Sequence, residues 1–84
     1  MIEDCEYSDH LRLRLAKRIE IEERWIDNAI SAPDPVVKVS KSEWHFLRVI
    51  RERGNRVLKV VVNPSLNPKI IVTAHFDRRL KGKL

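Results

Sequence analysis

Three histidines and a surplus of arginine are the residues with which this chain could do proton-transfer chemistry on a charged substrate. Histidine titrates near neutrality, so two of them can divide the acid and base roles. Thr73 and His75 stand two apart in KIIVTAHF, and the period of a strand puts them on one face, with Ile70, Val72, Ala74 and Phe76 on the other. His10, Arg14 and Arg18 follow an i, i+4, i+8 spacing and form one stripe on a helix. His45 sits in an aromatic and β-branched run of its own. After the last apolar run come Asp77, Arg78, Arg79, Lys81 and Lys83, and so many like charges repel one another unless a polyanion neutralises them. Arginine grips phosphate through a bidentate fork, and donors preorganised around developing charge supply much of the rate in such chemistry. These residue types are those that metal-independent RNA cleavage needs: a base for the ribose 2′-hydroxyl, an acid for the leaving oxygen, and cations for the phosphate. The histidines lack the close spacing of a zinc motif and Cys5 is isolated, so neither a metal nor another cofactor is expected.

The charge is unevenly distributed. Residues 1–37 hold five Lys/Arg against nine Asp/Glu, and residues 38–84 hold twelve against three, so −4 and +9 sum to the net +5. A basic field confined to one part of a domain is the usual footprint of a polyanion-binding surface. Plain solvated Lys and Arg would also account for it. A lone cysteine among Glu3, Asp4 and Glu6 cannot form an internal disulfide and suits a reducing cytoplasm. No apolar run approaches the roughly 18 residues needed to cross a bilayer, so no membrane partner is expected.

The elements that must position these residues read as one α+β domain of 84 residues. Residues 1–7 are polar and acidic and are expected to be frayed. Ser8 or Asp9 caps a first helix over about 9–18, on which Leu11, Leu15 and Ile19 form the apolar stripe. A break at Ile19 to Ile21 precedes a second helix over about 22–31, with Trp25, Ile26, Ala29 and Ile30 on one face; it stops before Pro33 and Pro35. Four strands are predicted over about 36–39, 44–51, 56–63 and 69–76, followed by a basic tail, 77–84. Gly54 and Asn55 supply the turn between the second and third, and Val60, Val61 and Val62 mark the third as covered on both sides or nearly so. The expected architecture is two N-terminal helices packed on one face of a four-stranded antiparallel meander, the other face and the edges remaining for function.

The segments SDHLRLRLAKR, GNRVLKVVVNP and VTAHFDRRLKGKL, in this order, resemble a family of small bacterial proteins filed as a domain of unknown function. That family looks like a distant member of the barnase, colicin and RelE-type ribonuclease fold group and is similar to the BrnT toxins. The resemblance implies helices on a four-stranded sheet, metal-independent RNA cleavage and a cognate antitoxin protein as partner. The positions it matches are His10, Arg14, Arg18, His45, Arg56, Thr73 and Arg78. His75 stands where the family pattern leads one to expect an aromatic, often Tyr.

The leading expectation is therefore a toxin-type endoribonuclease. His10 and His75 are its acid and base, and Thr73 and Arg78 contact the scissile phosphate. Arg14, Arg18, His45, Arg56, Lys59, Arg79 and Lys81 bind the RNA, several of them in a groove between helix and sheet. Two alternatives use the same basic surface: a non-catalytic RNA- or ribosome-binding module, and a domain that docks an acidic protein.

Overall fold

The structure, a computed structural model, describes residues 5–17 and 19–84. Arg18 and the predicted fraying of residues 1–4 lie outside the described residues. The chain runs β1 (Cys5–Tyr7), α1 (Asp9–Ala16), α2 (Glu23–Ser31), β2 (Val36–Ser40), β3 (Glu43–Ile50), β4 (Arg56–Asn63) and β5 (Lys69–Phe76), with 3-10 turns at Arg51–Arg53 and Arg78–Leu80.

One sheet, in the order β1-β5-β4-β3-β2, holds all five strands. This corrects the expected four-stranded antiparallel meander, and with it the four-stranded sheet that the resemblance implied. β1 adds to β5 in parallel, Cys5 opposite Lys69 and Tyr7 opposite Ile71, so the sheet is mixed. The helices are not N-terminal either, since they lie between β1 and β2. Three residues of β1 carry too little pattern to announce a strand, and their partner is more than sixty residues away. Only the pairing makes Cys5 a buried residue, 7% exposed, instead of part of a frayed end.

Ser8 joins the first strand to the first helix. Its hydroxyl oxygen accepts from Leu11 N at 3.0 Å, capping α1, and the same hydroxyl donates to Val72 O at 2.7 Å. An N-cap normally satisfies one orphan donor of the first turn; this one also ties the helix to an edge carbonyl of β5. The helices then cover one face of the sheet. Leu11, Ile21, Trp25, Ile26 and Ala29 pack with Ile50, Leu58, Val60, Val62, Ile71 and Ala74 in one core. Trp25 meets Phe76 with ring centroids 6.3 Å apart. β4 is the central strand, and Val57, Leu58 and Val60 are fully buried.

A bulge alters the expected faces of β5. The register passes from Val61↔Thr73 to Val62↔Ile71, so β5 carries one extra residue there. As a result Ile71 and Ala74 both turn into the core while Val72 is 39% exposed, and the predicted grouping of Ile70 and Val72 with Ala74 fails. Thr73 and His75 lie beyond the bulge, with Val61 and Lys59 as their partners.

Candidate nucleic-acid interface

Alternation along β4 sends Leu58, Val60 and Val62 to the helices and leaves Lys59 and Val61 on the opposite face. The strand register assembles that face from three strands. One row runs His45, Val61, Thr73 across β3, β4 and β5, and the next runs Leu47, Lys59, His75. Directly opposed residues have Cβ atoms about 4.5–5.5 Å apart, so His75 and Lys59 are immediate neighbours. His45 and Thr73 flank Val61 from either side.

Two of these polar groups, His45 and Thr73, are held by hydrogen bonds. His45 is half-buried and its Nε2 lies 2.7 Å from Glu43 Oε2. Because an ionised carboxylate only accepts, this contact puts the hydrogen on Nε2 and leaves Nδ1 as the other exchangeable position. Arg14 reaches the sheet from α1: its Nη1 donates to Thr73 Oγ1 at 3.0 Å and to Ala74 O at 2.9 Å. Thr73 thus accepts from a cation and keeps its own hydroxyl hydrogen to donate. Between them Ser8 and Arg14 satisfy the carbonyls of Val72 and Ala74, which the three-residue β1 is too short to cover.

Asp77 anchors the end of β5. Its carboxylate is 2.6 Å from Lys59 Nζ and accepts from Arg79 N at 3.0 Å, capping the 3-10 turn. Its own N–H donates to Val57 O at 2.9 Å. The hydrogen bond from Lys59, followed by those from Arg79, holds this carboxyl far below the usual carboxylate range, against the opposing effect of burial. His75 is shifted the same way for another reason: partial burial first, then the positive charge of Lys59, lowers its pKa from 6.5, and Arg14 and His45 add to the effect while Asp77 opposes it. The imidazole is therefore neutral at neutral pH, the form that can accept a proton.

The remaining predicted residues are distributed differently from the expectation. His10 is exposed at the start of α1 and is not among the groups that act on His75. Arg56 lies on the helix side of the sheet, its Nη1 3.0 Å from Glu20 Oε1 and its guanidinium 4.3 Å above the Phe76 ring. The sheet itself separates Arg56 from Lys59 and His75, so these residues do not line one groove between helix and sheet. Arg78 and Lys81 are exposed and, with Arg56 and Asp77, line a cleft of about 300 Å³ at the end of the sheet. Arg79 is largely exposed, its Nε 3.4 Å from Asp77. Asp77 and Glu43 were missed as site residues, although both could be found from spacing. Asp77 continues the two-residue period of Thr73 and His75, and Glu43 stands two before His45 on the same strand face.

A family model described as a domain of unknown function (DUF4258) matches residues 7–76. The chain belongs to the DUF4258 family. No curated protein and no solved structure matches it. The DUF4258 match contains His10, Arg14, His45, Arg56, Lys59, Thr73 and His75, and it ends one residue before Asp77. Among the described residues of this DUF4258 chain no helix is long and apolar enough to cross a membrane.

Proposed function

We propose that the sheet face turned away from the helices binds RNA and cleaves it without a metal ion. His75 carries this reading: an exposed imidazole kept neutral, with a lysine as cross-strand neighbour and the Arg14–Thr73 pair two residues before it. His75 takes the proton of a ribose 2′-hydroxyl, and the 2′-oxygen attacks the adjacent phosphorus. The bond from phosphorus to the 5′-oxygen breaks, and the Nδ1 proton of a doubly protonated His45, whose Nε2–H is held by Glu43, goes to that oxygen. Thr73 Oγ donates to a phosphate oxygen, and Arg14 and Lys59 oppose the charge that develops on the phosphate. His10, which is exposed at the start of α1 and is not among the groups that act on His75, is assigned a contact with flanking RNA in place of the acid role. The family that the SDHLRLRLAKR and VTAHFDRRLKGKL segments resemble is similar to the BrnT toxins, and that similarity supports the same chemistry and extends the proposal to a cytoplasmic toxin restrained by a cognate antitoxin.

The test is cleavage of total RNA in EDTA by wild type, His75→Ala, His45→Ala and His10→Ala proteins purified identically. Loss of about 10²–10⁴-fold in the first two variants and a small effect in the third is expected. Equal cleavage by wild type and His75→Ala would refute the assignment. A second reading, RNA binding without cleavage, is favoured by the distribution of Arg56 and Lys59 over opposite faces of the sheet. It predicts steeply salt-dependent binding by all four proteins and no cleavage by any.

A further inference from the structure

The cleft at the end of the sheet has a composition that the sheet-face chemistry does not use. Arg56 enters it from the start of β4, Arg78 from the 3-10 turn and Lys81 from the tail. Its one lining carboxylate, Asp77, is already engaged by Lys59 and Arg79. Glu20 pairs with Arg56, whereas Arg78 and Lys81 form no ion pair among the described residues. Two uncompensated cations from the first residue and the C-cap of one 3-10 turn thus face one concavity beside a guanidinium stacked on Phe76.

We infer that this cleft is a second phosphate site, one nucleotide along the strand from the phosphate at His75; the inference rests on the RNA reading above. Asp77, which lines the cleft, is two residues beyond His75, and two residues of extended chain span about 6–7 Å, a distance that one extended nucleotide covers. A phosphate oxygen set between Arg78 and Lys81 takes charge-assisted hydrogen bonds from both. The Lys59–Asp77 pair forms the wall between the two sites, with Lys59 facing His75 and Asp77 facing the cleft. The cleft accepts either the next phosphodiester of a longer strand or a terminal phosphomonoester.

Binding of three probes by calorimetry separates these cases: a 2′-deoxy dinucleoside monophosphate that cannot be cleaved, the same molecule with an added terminal phosphate, and a trinucleoside diphosphate. The second phosphate should tighten binding about tenfold in wild type and in His75→Ala, and the gain should vanish in an Arg78→Gln/Lys81→Gln double variant. A gain from the trinucleotide marks an internal phosphate, and a gain from the terminal phosphate alone marks a strand end. No gain with either probe, or a gain that persists in the double variant, overturns the inference. Both replaced side chains are exposed, and a circular dichroism melt matching wild type excludes misfolding as the cause. Cleavage of total RNA in EDTA distinguishes the two readings: a gain without wild-type cleavage removes only the catalytic one, and cleavage without a gain removes only the cleft.

Discussion

Replacing Arg14 with methionine should destabilise the chain by about 1–2 kcal/mol, although no apolar core residue is touched. One nitrogen, Nη1, donates both to Thr73 Oγ1 at 3.0 Å and to Ala74 O at 2.9 Å. A hydrogen bond involving a charged group contributes about 1.5–3 kcal/mol when it is shielded from water. Arg14 is half-buried and the two bonds share one donor atom, so the sum is discounted to the lower figure. Methionine keeps the unbranched stem and a high helix propensity, which leaves the lost bonds as the main difference. With a urea dependence of about 1 kcal/mol/M for a domain of this size, the unfolding midpoint should fall by about 1–2 M. Thr73→Val preserves the β-branched shape and removes the acceptor, so a double-mutant cycle with Arg14→Met isolates that bond. A coupling of about 0.5–1.5 kcal/mol is expected. Coupling of less than about 0.3 kcal/mol, within the additivity of independent sites, would show that α1 does not clasp the β5 edge in solution and would refute the reasoning.

Titration of His75 by NMR should give a midpoint below 6.5, and Lys59→Gln should move it upward by removing a neighbouring positive charge; a midpoint above 6.5 in wild type would contradict the assigned base role. Because the folded state disfavours the imidazolium, this residue's contribution to stability is present above pH 6.5 and is lost as the pH falls through its lowered value. Asp77 is also depressed, so its contribution holds above the usual carboxylate range and fades below about pH 4 as protonation removes the acceptor of Lys59. In Asp77→Asn that portion of the acid limb of a stability–pH curve should be missing; an unchanged limb would show that the Lys59–Asp77 pair is not formed. Tyr7, the single tyrosine, has its pKa pushed up to about 12 by burial, with Asp27 and then Glu23 adding negative charge nearby. Tyrosinate absorbance should therefore appear well above pH 10 and shift downward in Asp27→Asn, and the group's contribution to stability should be lost as the pH rises above its unfolded value near 10.

Much of the local structure could be read from residue types because its causes are local. Ser8 before HLRLRLAKR, the stop before Pro33, and the Gly54-Asn55 turn, where φ is 65° and 61°, each act within a few residues. The run Val60 to Val62 suggested a strand covered on both sides, but the helices cover one face only: Val60 and Val62 are buried in the core, while Val61 is half-buried on the opposite face. The bulge in β5 and the strand β1 were not legible. A bulge shows itself only against a partner, and three residues acquire strand character only from the strand they join.

The sequence by itself determined the helices, the β4–β5 strand pair, the basic excess after residue 37 and the pairing of Thr73 with His75 on one strand face. Tertiary structure alone decided which residues meet. It turned Arg56 to the helix side and Lys59 to the other because neighbours along a strand alternate faces, and register chose which residue took each. It set Lys59 opposite His75 and His45 in the next row on the same sheet face by pairing three strands, and it drew Arg14 over the edge of β5 because β1 ends too early to cover those carbonyls. It gave Asp77 its partner Lys59 from the adjacent strand, eighteen positions earlier in the chain. Propensity and capping act over a few residues, whereas these contacts depend on register, on the bulge and on which edge is left open. Those are properties of the assembled sheet, and no single segment carries them.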